Sequence, residues 1–382
     1  MPEQTQEFEQ LLKKAEKDRG FKLSADLIRH LGLDLSGLTV LTECASGPYA
    51  YTPIMAALAG ARVYAIGRDS RHGTFEENAS HIGEMAKTLG IEDLLHCFDT
   101  DMPLANWQKV DIMTNSGFLR PITSEKIKRL KPTAVLPLMW ETWEWRPGEI
   151  DLSACQQAGI PVIGTNERYE KNSMVDYPGM MVLKLLFSLG IEAVHNHLVL
   201  LGGGFTGKCI ANTFEKLELN FDWFTATGSE RAYRCYPYAE IRRLLEMKSP
   251  DAVVCAEHTD PRQLLGPDAR LSFAELATAH PVLRWGHFMG NIDVEDLQKS
   301  GLLHYPQHIA PFGYMTFDAG KFGIRLALQL NAQGLKVGEM AARARRNGHS
   351  IEETIAATVD AGIGMDFEGG LMNIKDSETP TH

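Results

Sequence analysis

Twice along the chain, short apolar runs rich in β-branched residues alternate with stretches of helical character, and this alternation constrains the fold more than any other feature. The first series places runs at Thr39–Thr42, Arg62–Ile66, Leu94–Phe98, Asp111–Met113, Ala134–Leu138 and Pro161–Ile163, with helical stretches at Thr52–Leu58, Phe75–Leu89, Ser124–Leu130 and Asp151–Ala158 between them. A helix at Ser173–Leu189 leads into the second series, with strands at His197–Leu201, Phe221–Thr225, Ala252–Cys255 and Pro281–Leu283 and a helix at Lys208–Leu217. Strands separated by helices of this length pair in parallel through crossover connections. The spacing therefore predicts an α/β protein of two Rossmann-like, doubly wound parallel-sheet domains with an interdomain cleft. C-terminal helices are expected at Gly320–Leu330, Val337–Arg346 and Ser350–Ala361, and residues 1–37 read as an appendage of two short polar helices, Glu7–Lys17 and Ser24–Leu31.

Composition narrows the function classes. With 382 residues, 44% of them hydrophobic, the chain has enough apolar side chains for two cores. Thirty-eight Lys and Arg against forty-nine Asp and Glu give a net charge of -11, which repels a nucleic-acid backbone. The apolar stretch Met180–Leu189 is broken by Lys184 and Ser188 and falls short of the ~20 residues of a membrane span. Met1–Arg19 has no apolar signal core, so a cytoplasmic location is expected. The six cysteines (Cys44, Cys97, Cys155, Cys209, Cys235, Cys255) are scattered without a C-x-x-C pair, so neither a disulfide nor a metal site is expected.

The sharpest local motif follows the first strand of the second series. His197–Leu201 runs into Gly202, Gly204 and Gly207, with Phe205 and Thr206 opening a helix. In G-x-G-x-x-G the first glycine allows a tight turn, the second lets a pyrophosphate approach the backbone, and the third lets helix and strand pack closely. A dinucleotide site is the reading, against a glycine-rich turn that binds nothing. Asp222 lies too early to meet a ribose, whereas Thr227, Ser229, Arg231 and Arg234 supply donors and cations suited to a 2′-phosphate, so NADP is preferred and NAD, with Glu230 on the ribose, is the alternative.

Beyond this motif the order of segments resembles the D-2-hydroxyacid dehydrogenase family. The resemblance runs from Ala134 to Pro311: Asp151-Leu-Ser-Ala leads to Gly159-Ile-Pro-Val and Asn166, then come the glycine fingerprint, Pro250-Asp-Ala-Val-Val, Gly290-Asn-Ile-Asp and Gln307-His308-Ile-Ala. It implies a split, flavodoxin-like substrate domain over 38–170 and 305–382, with a dinucleotide domain over 171–304 between its halves. It also implies that His308 serves as acid/base; the bland alternative is a strand-end histidine capping backbone groups. Two departures mark divergence. The family's substrate-binding Arg before Gly290 is replaced by His287-Phe-Met, and the Glu that orients its histidine has no counterpart. His287 and Glu257, both expected at strand ends, are the further acid/base candidates.

In the first series, Glu43-Cys-Ala-Ser-Gly-Pro-Tyr follows the first strand, where Ser46 and Tyr49 are placed to hold substrate. Trp140-Glu-Thr-Trp-Glu-Trp-Arg stands where the resembling family has a glycine-rich carboxylate loop. Trp140, Trp143 and Arg146 either wall a pocket or plug an interface. The combined expectation is an NADP(H)-dependent oxidoreductase with a diverged substrate site, acting as a homodimer on a small molecule larger than a simple 2-hydroxy acid. The alternatives are a dinucleotide-binding protein without redox turnover, regulatory or structural, and a non-redox enzyme with a tightly held dinucleotide.

Overall fold

The computed structural model describes residues 2–229 and 234–367. It divides into two compact units, one formed by Met1–Met174 with Gly323–His382 and the other by Val175–Phe322. The first unit contributes β1 (Thr39–Glu43), β2 (Arg62–Gly67), β3 (Leu95–Asp99), β4 (Ile112–Met113), β5 (Leu136–Pro137) and β6 (Val162–Thr165). The second contributes β7 (His197–Leu201), β8 (Asn220–Thr225), β9 (Cys235–Pro237), β10 (Ala252–Ala256), β11 (Arg284–Met289) and β12 (Leu303–Tyr305), and a last strand, β13 (Gly364–Met365), returns to the first.

In the second unit the six strands lie in the order β12-β11-β10-β7-β8-β9, all parallel. Strand order reverses at β7, so the crevice between β7 and β10 is the switch point at which ligands of open α/β sheets sit. The first unit repeats the plan: β3-β2-β1-β4 form one parallel sheet, and Met113 and Val135 continue it toward β5 through an amide contact of 3.0 Å. Its switch point lies between β1 and β4. A flavodoxin-like order would place the third strand beside the first, on the side away from β2. Here β3 pairs with β2 at the outer edge, Val63 opposite Leu95, which corrects that expectation.

Two expected boundaries also move. Leu303–Tyr305 pairs with β11, and the Thr316 amide donates to the Phe288 carbonyl at 2.9 Å, so the chain stays with the second unit through Phe322 rather than leaving it at residue 305. The N-terminal segment is one helix, Pro2–Leu31, and no appendage: Leu23, Leu27 and Leu31 are buried in the first unit's core beside Ile54, Met55, Leu328 and Leu335. Gly20, which falls between the two expected helices, sits inside this one because the Tyr51 ring occupies its missing side chain's place, 2.2 Å from where a Cβ would stand. Tertiary packing overrides the local glycine signal there.

Local chemistry explains the element starts. Thr74 with Glu77, Ser272 with Glu275 and Ser350 with Glu353 each form a reciprocal cap at a helix N-terminus, satisfying amides that the helix leaves unpaired. The second unit's core gathers Val199, Leu201, Phe224, Val253, Phe273 and Trp285 on one face of its sheet.

Candidate functional site

The turn after β7 is built by its three glycines. Gly202 has φ of 152°, and a Cβ there would stand 2.3 Å from the Ala256 carbonyl oxygen, so only glycine lets β7 and β10 close to this distance. A Cβ on Gly207 would stand 2.2 Å from the Gly202 carbonyl, which fixes the helix Gly204–Lys216 tight against the turn. Gly204 adopts a left-handed φ of 61°, and its open face meets the His258 ring, with Cε1 2.8 Å from a built Cβ.

Glu257, expected as an acid/base, instead braces this turn. Its Oε2 accepts from the Gly203 amide at 3.1 Å and the Tyr238 hydroxyl at 2.5 Å, while Oε1 accepts from the Thr259 amide and hydroxyl and the Asp260 amide. Burial raises its pKa, but hydrogen bonds from Thr259, Tyr238 and Asp260 outweigh burial and hold the carboxyl below the usual range. It is ionised, fully buried, and committed to five donors. The Tyr238 phenol is pushed up by burial and by Glu257, and keeps its proton.

A cavity of about 450 Å³ opens beside this brace, at the carboxyl edge of β8 and β10, lined by Ala226, Tyr238, Asp260, Arg262, Gln263 and Arg270 among others. Arg262 chelates Asp260 with Nε at 2.9 Å and 3.0 Å from the two carboxylate oxygens. The end of β8 carries hydroxyls: Thr225 Oγ1 accepts from the Gly228 amide, and Thr227 and Ser229 pair at 2.8 Å. Arg231 lies outside the described residues. Arg234 is corrected as a phosphate candidate, because it is anchored on Asn220, the Phe221 carbonyl and Asp222 at the amino end of β8, away from the glycine turn.

The remaining acid/base candidates differ in exposure. His287 lies on β11 with no exposed surface, and burial lowers its pKa to about 4; the Gly290 backbone raises it without meeting hydrogen-bond geometry, and His304 lowers it. Its imidazole is a neutral core group. His308 is exposed on the loop that follows β12.

The first unit's candidates occupy its own carboxyl edge. Ser46 is half-buried and makes no side-chain cap to the Gly47–Ala50 turn, and Tyr49 is 39% exposed. Trp140 lies half-buried under the Arg120 guanidinium, 4.8 Å from the ring centroid, while Trp143 is 50% exposed and donates to Glu141 at 2.6 Å. Arg146 faces Glu149 at 3.7 Å. Trp140 and Trp143 therefore have different supports, a guanidinium and a carboxylate. Glu43, at the end of β1, opens the segment that the sequence singles out for Ser46 and Tyr49 but has no expected role of its own; it is buried, accepts the Phe118 amide at 3.2 Å, and burial pushes its pKa up to about 6. Glu144 is pushed up to about 7 by burial and by Glu141 and Glu149.

No family model matches the chain, and no curated protein does. Among solved structures, one chain of dipicolinate synthase from Bacillus halodurans aligns with a TM-score of 0.48 at 13% identity, over 79% of this chain and 99% of that one. An NADPH-dependent glyoxylate/hydroxypyruvate reductase from Sinorhizobium meliloti aligns with a TM-score of 0.44 at 12% identity, over 82% of this chain and 96% of the other. An NAD-dependent formate dehydrogenase from Staphylococcus aureus gives 0.38 at 12%, over 78% and 93%. Likeness at this level assigns no activity, and the functional reading rests on the site's own geometry. No described helix is long and apolar enough to cross a membrane.

Proposed function

We propose that the unit Val175–Phe322 binds a nicotinamide dinucleotide and that the chain is an NAD(P)-dependent oxidoreductase acting on a small molecule. One observation carries this reading: at the switch point, three glycines build a tight strand-to-helix turn in which a Cβ at Gly202 or Gly207 would meet backbone, and a cavity of about 450 Å³ opens at the carboxyl edge of the same sheet. The amides of Phe205 and Thr206 would take the diphosphate, and the cavity the adenosine half. Bound NAD(P) would supply hydride exchange, and in this reading exposed His308 moves a proton on a substrate oxygen.

NADP is the preferred form in this proposal. The described end of β8 offers Thr225, Thr227 and Ser229 and no carboxylate, and Arg262 and Arg270 line the cavity together with Asp260, which Arg262 chelates, and Asp268. A 2′-phosphate held by Arg231 or Arg262 gains about tenfold to a hundredfold over NADH. Fluorescence titration checks both statements. Micromolar NADPH binding that Gly204→Val abolishes is the expected result, and Arg231→Ala or Arg262→Ala should erase the preference for NADPH. Absence of binding by either nucleotide below millimolar concentrations rejects the site.

A second reading, dinucleotide binding without turnover, has one observation in its favour. Glu257 is committed to the turn and His287 is sealed in the core, so His308 is the one exposed group among the three expected acid/base residues. His308→Gln separates the readings: turnover of a 2-oxo-acid panel falls about 10² to 10⁴ with NADPH affinity unchanged in an enzyme, whereas no turnover by the wild type favours the second.

A further inference from the structure

The second glycine of a dinucleotide turn is ordinarily bare so that a diphosphate can touch the backbone. Here the bare face of Gly204 is covered from the side by His258, whose Cε1 and Nε2 stand 2.8 Å and 3.2 Å from a built Cβ. The residue sits on the loop after β10, next to the fully buried Glu257, and its imidazole occupies the approach that the diphosphate needs. Resting on the dinucleotide reading above, we propose that His258 is a diphosphate ligand of this site, which takes up one proton from solvent as the dinucleotide binds.

The charges around the ring support this direction. Burial lowers the His258 pKa, and the Glu257 carboxylate opposes that by raising it, so the ring is neutral near pH 7 without ligand. From the neighbouring elements, Tyr238 remains a protonated phenol hydrogen-bonded to Glu257, and Asp260 is neutralised by Arg262. Lys208, one turn into the helix that Gly204 opens, is exposed. A diphosphate brought against Gly204 adds two negative charges beside the imidazole, which favours the protonated ring and gives it a charge-assisted bond to phosphate oxygen. The balance is simple: neutral imidazole, one solvent proton and the anion become an imidazolium–diphosphate pair.

Calorimetry of NADPH binding to the intact protein in buffers of different ionisation enthalpy counts the protons. The expected result is uptake of close to one proton at pH 7.5, with affinity tightening by some tens of fold between pH 8 and pH 6. His258→Gln should abolish both the uptake and the pH dependence while NADPH still binds. Binding by the wild type without proton uptake overturns the proposal, as does a His258→Ala protein that binds more tightly at every pH, which would make the ring a plug. Inorganic diphosphate is titrated in parallel. If NADPH and NADH fail to bind while diphosphate binds with uptake, the dinucleotide reading falls and the His258 assignment stands; if diphosphate binds without uptake, or nothing binds, the His258 assignment falls as well.

Discussion

The two switch points are crossed by the same device running in opposite directions. In the first unit, Glu43 ends the first strand and reaches the amides of Gly117 and Phe118, in the loop beyond β4. In the second, Glu257 follows β10, which holds the corresponding fourth place, and reaches back to Gly203 in the turn after the first strand, β7. The donors decide what each carboxyl does. Glu43 receives backbone amides that do not offset its burial, so its pKa rises to about 6. Glu257 receives five donors, so its pKa falls in spite of burial. A buried carboxylate is stable as an anion only where enough donors converge on it.

The largest expected break in this comparison comes from the turns themselves. Gly207→Ala forces a Cβ to within 2.2 Å of a backbone carbonyl and should destabilise the second unit by about 3 kcal/mol or more. Gly47→Ala, in the matching turn of the first unit, meets open space and costs only left-handed strain, about 1 kcal/mol. Urea denaturation of both variants checks this; equal losses would mean that the glycine turn is not the tighter one.

Next in size is removal of charge from the two braces. Glu257→Gln sets its amide N–H₂ either against the Gly203 and Tyr238 donors or against those of Thr259 and Asp260, and should cost about 2 to 3 kcal/mol. Glu43→Gln removes a carboxyl that burial already disfavours as an anion, and at pH 8 its cost should stay below about 1 kcal/mol. A Glu43→Gln protein less stable than Glu257→Gln would reverse the assignment of the two braces.

The smaller effect is in pH. Glu43 and Glu144 have folded pKa values of about 6 and about 7, above their ordinary 4.5, so the folded first unit binds more protons than the unfolded chain between about pH 4.5 and 7. Its stability is greatest below that window and falls as pH rises through it. His287 has a folded value of about 4 against an ordinary 6.5, so the unfolded chain binds the extra proton and the second unit loses stability as pH falls from 6.5 toward 4. Local hydrogen exchange at pH 5.5 and pH 7.5, corrected for intrinsic rates, should show the two units changing in opposite directions. His287→Leu should flatten the second slope; parallel slopes in the wild type would contradict this account.

The alternation of strands and helices was legible because each element carries its own period. β1, β2, β7, β8 and β10 fall within about two residues of their expected limits. β9, β12 and β13 have two or three residues, too few to show alternation. β11 was expected at Pro281–Leu283 and instead spans Arg284–Met289, whose buried Gly286 and His287 lack a strand's usual composition. The expected pair Gly320–Leu330 and Val337–Arg346 is principally one helix, Ile324–Arg346, because Gly334 and Gly338 pack against Met139 and Ile112, where a Cβ would have no room. In the site, the glycine turn was legible because its three residues are local. The Glu257–Tyr238 bond and the His258 cover over Gly204 join residues 19 and 54 positions apart, and no spacing rule encodes such pairs.

The helix Ile324–Arg346 carries Leu328, Ala332, Leu335, Val337 and Ala341 into a core whose members outside this helix, Ile355 and Ile363 apart, come from before residue 174. During synthesis, therefore, the first unit must wait, with Val40, Ile112 and Val135 uncovered by that helix, until the whole of Val175–Phe322 has left the ribosome. The contiguous second unit can complete its fold in that interval. The unit that emerges first is the last to be finished, and chaperones meeting the nascent chain would find their apolar target on the N-terminal sheet.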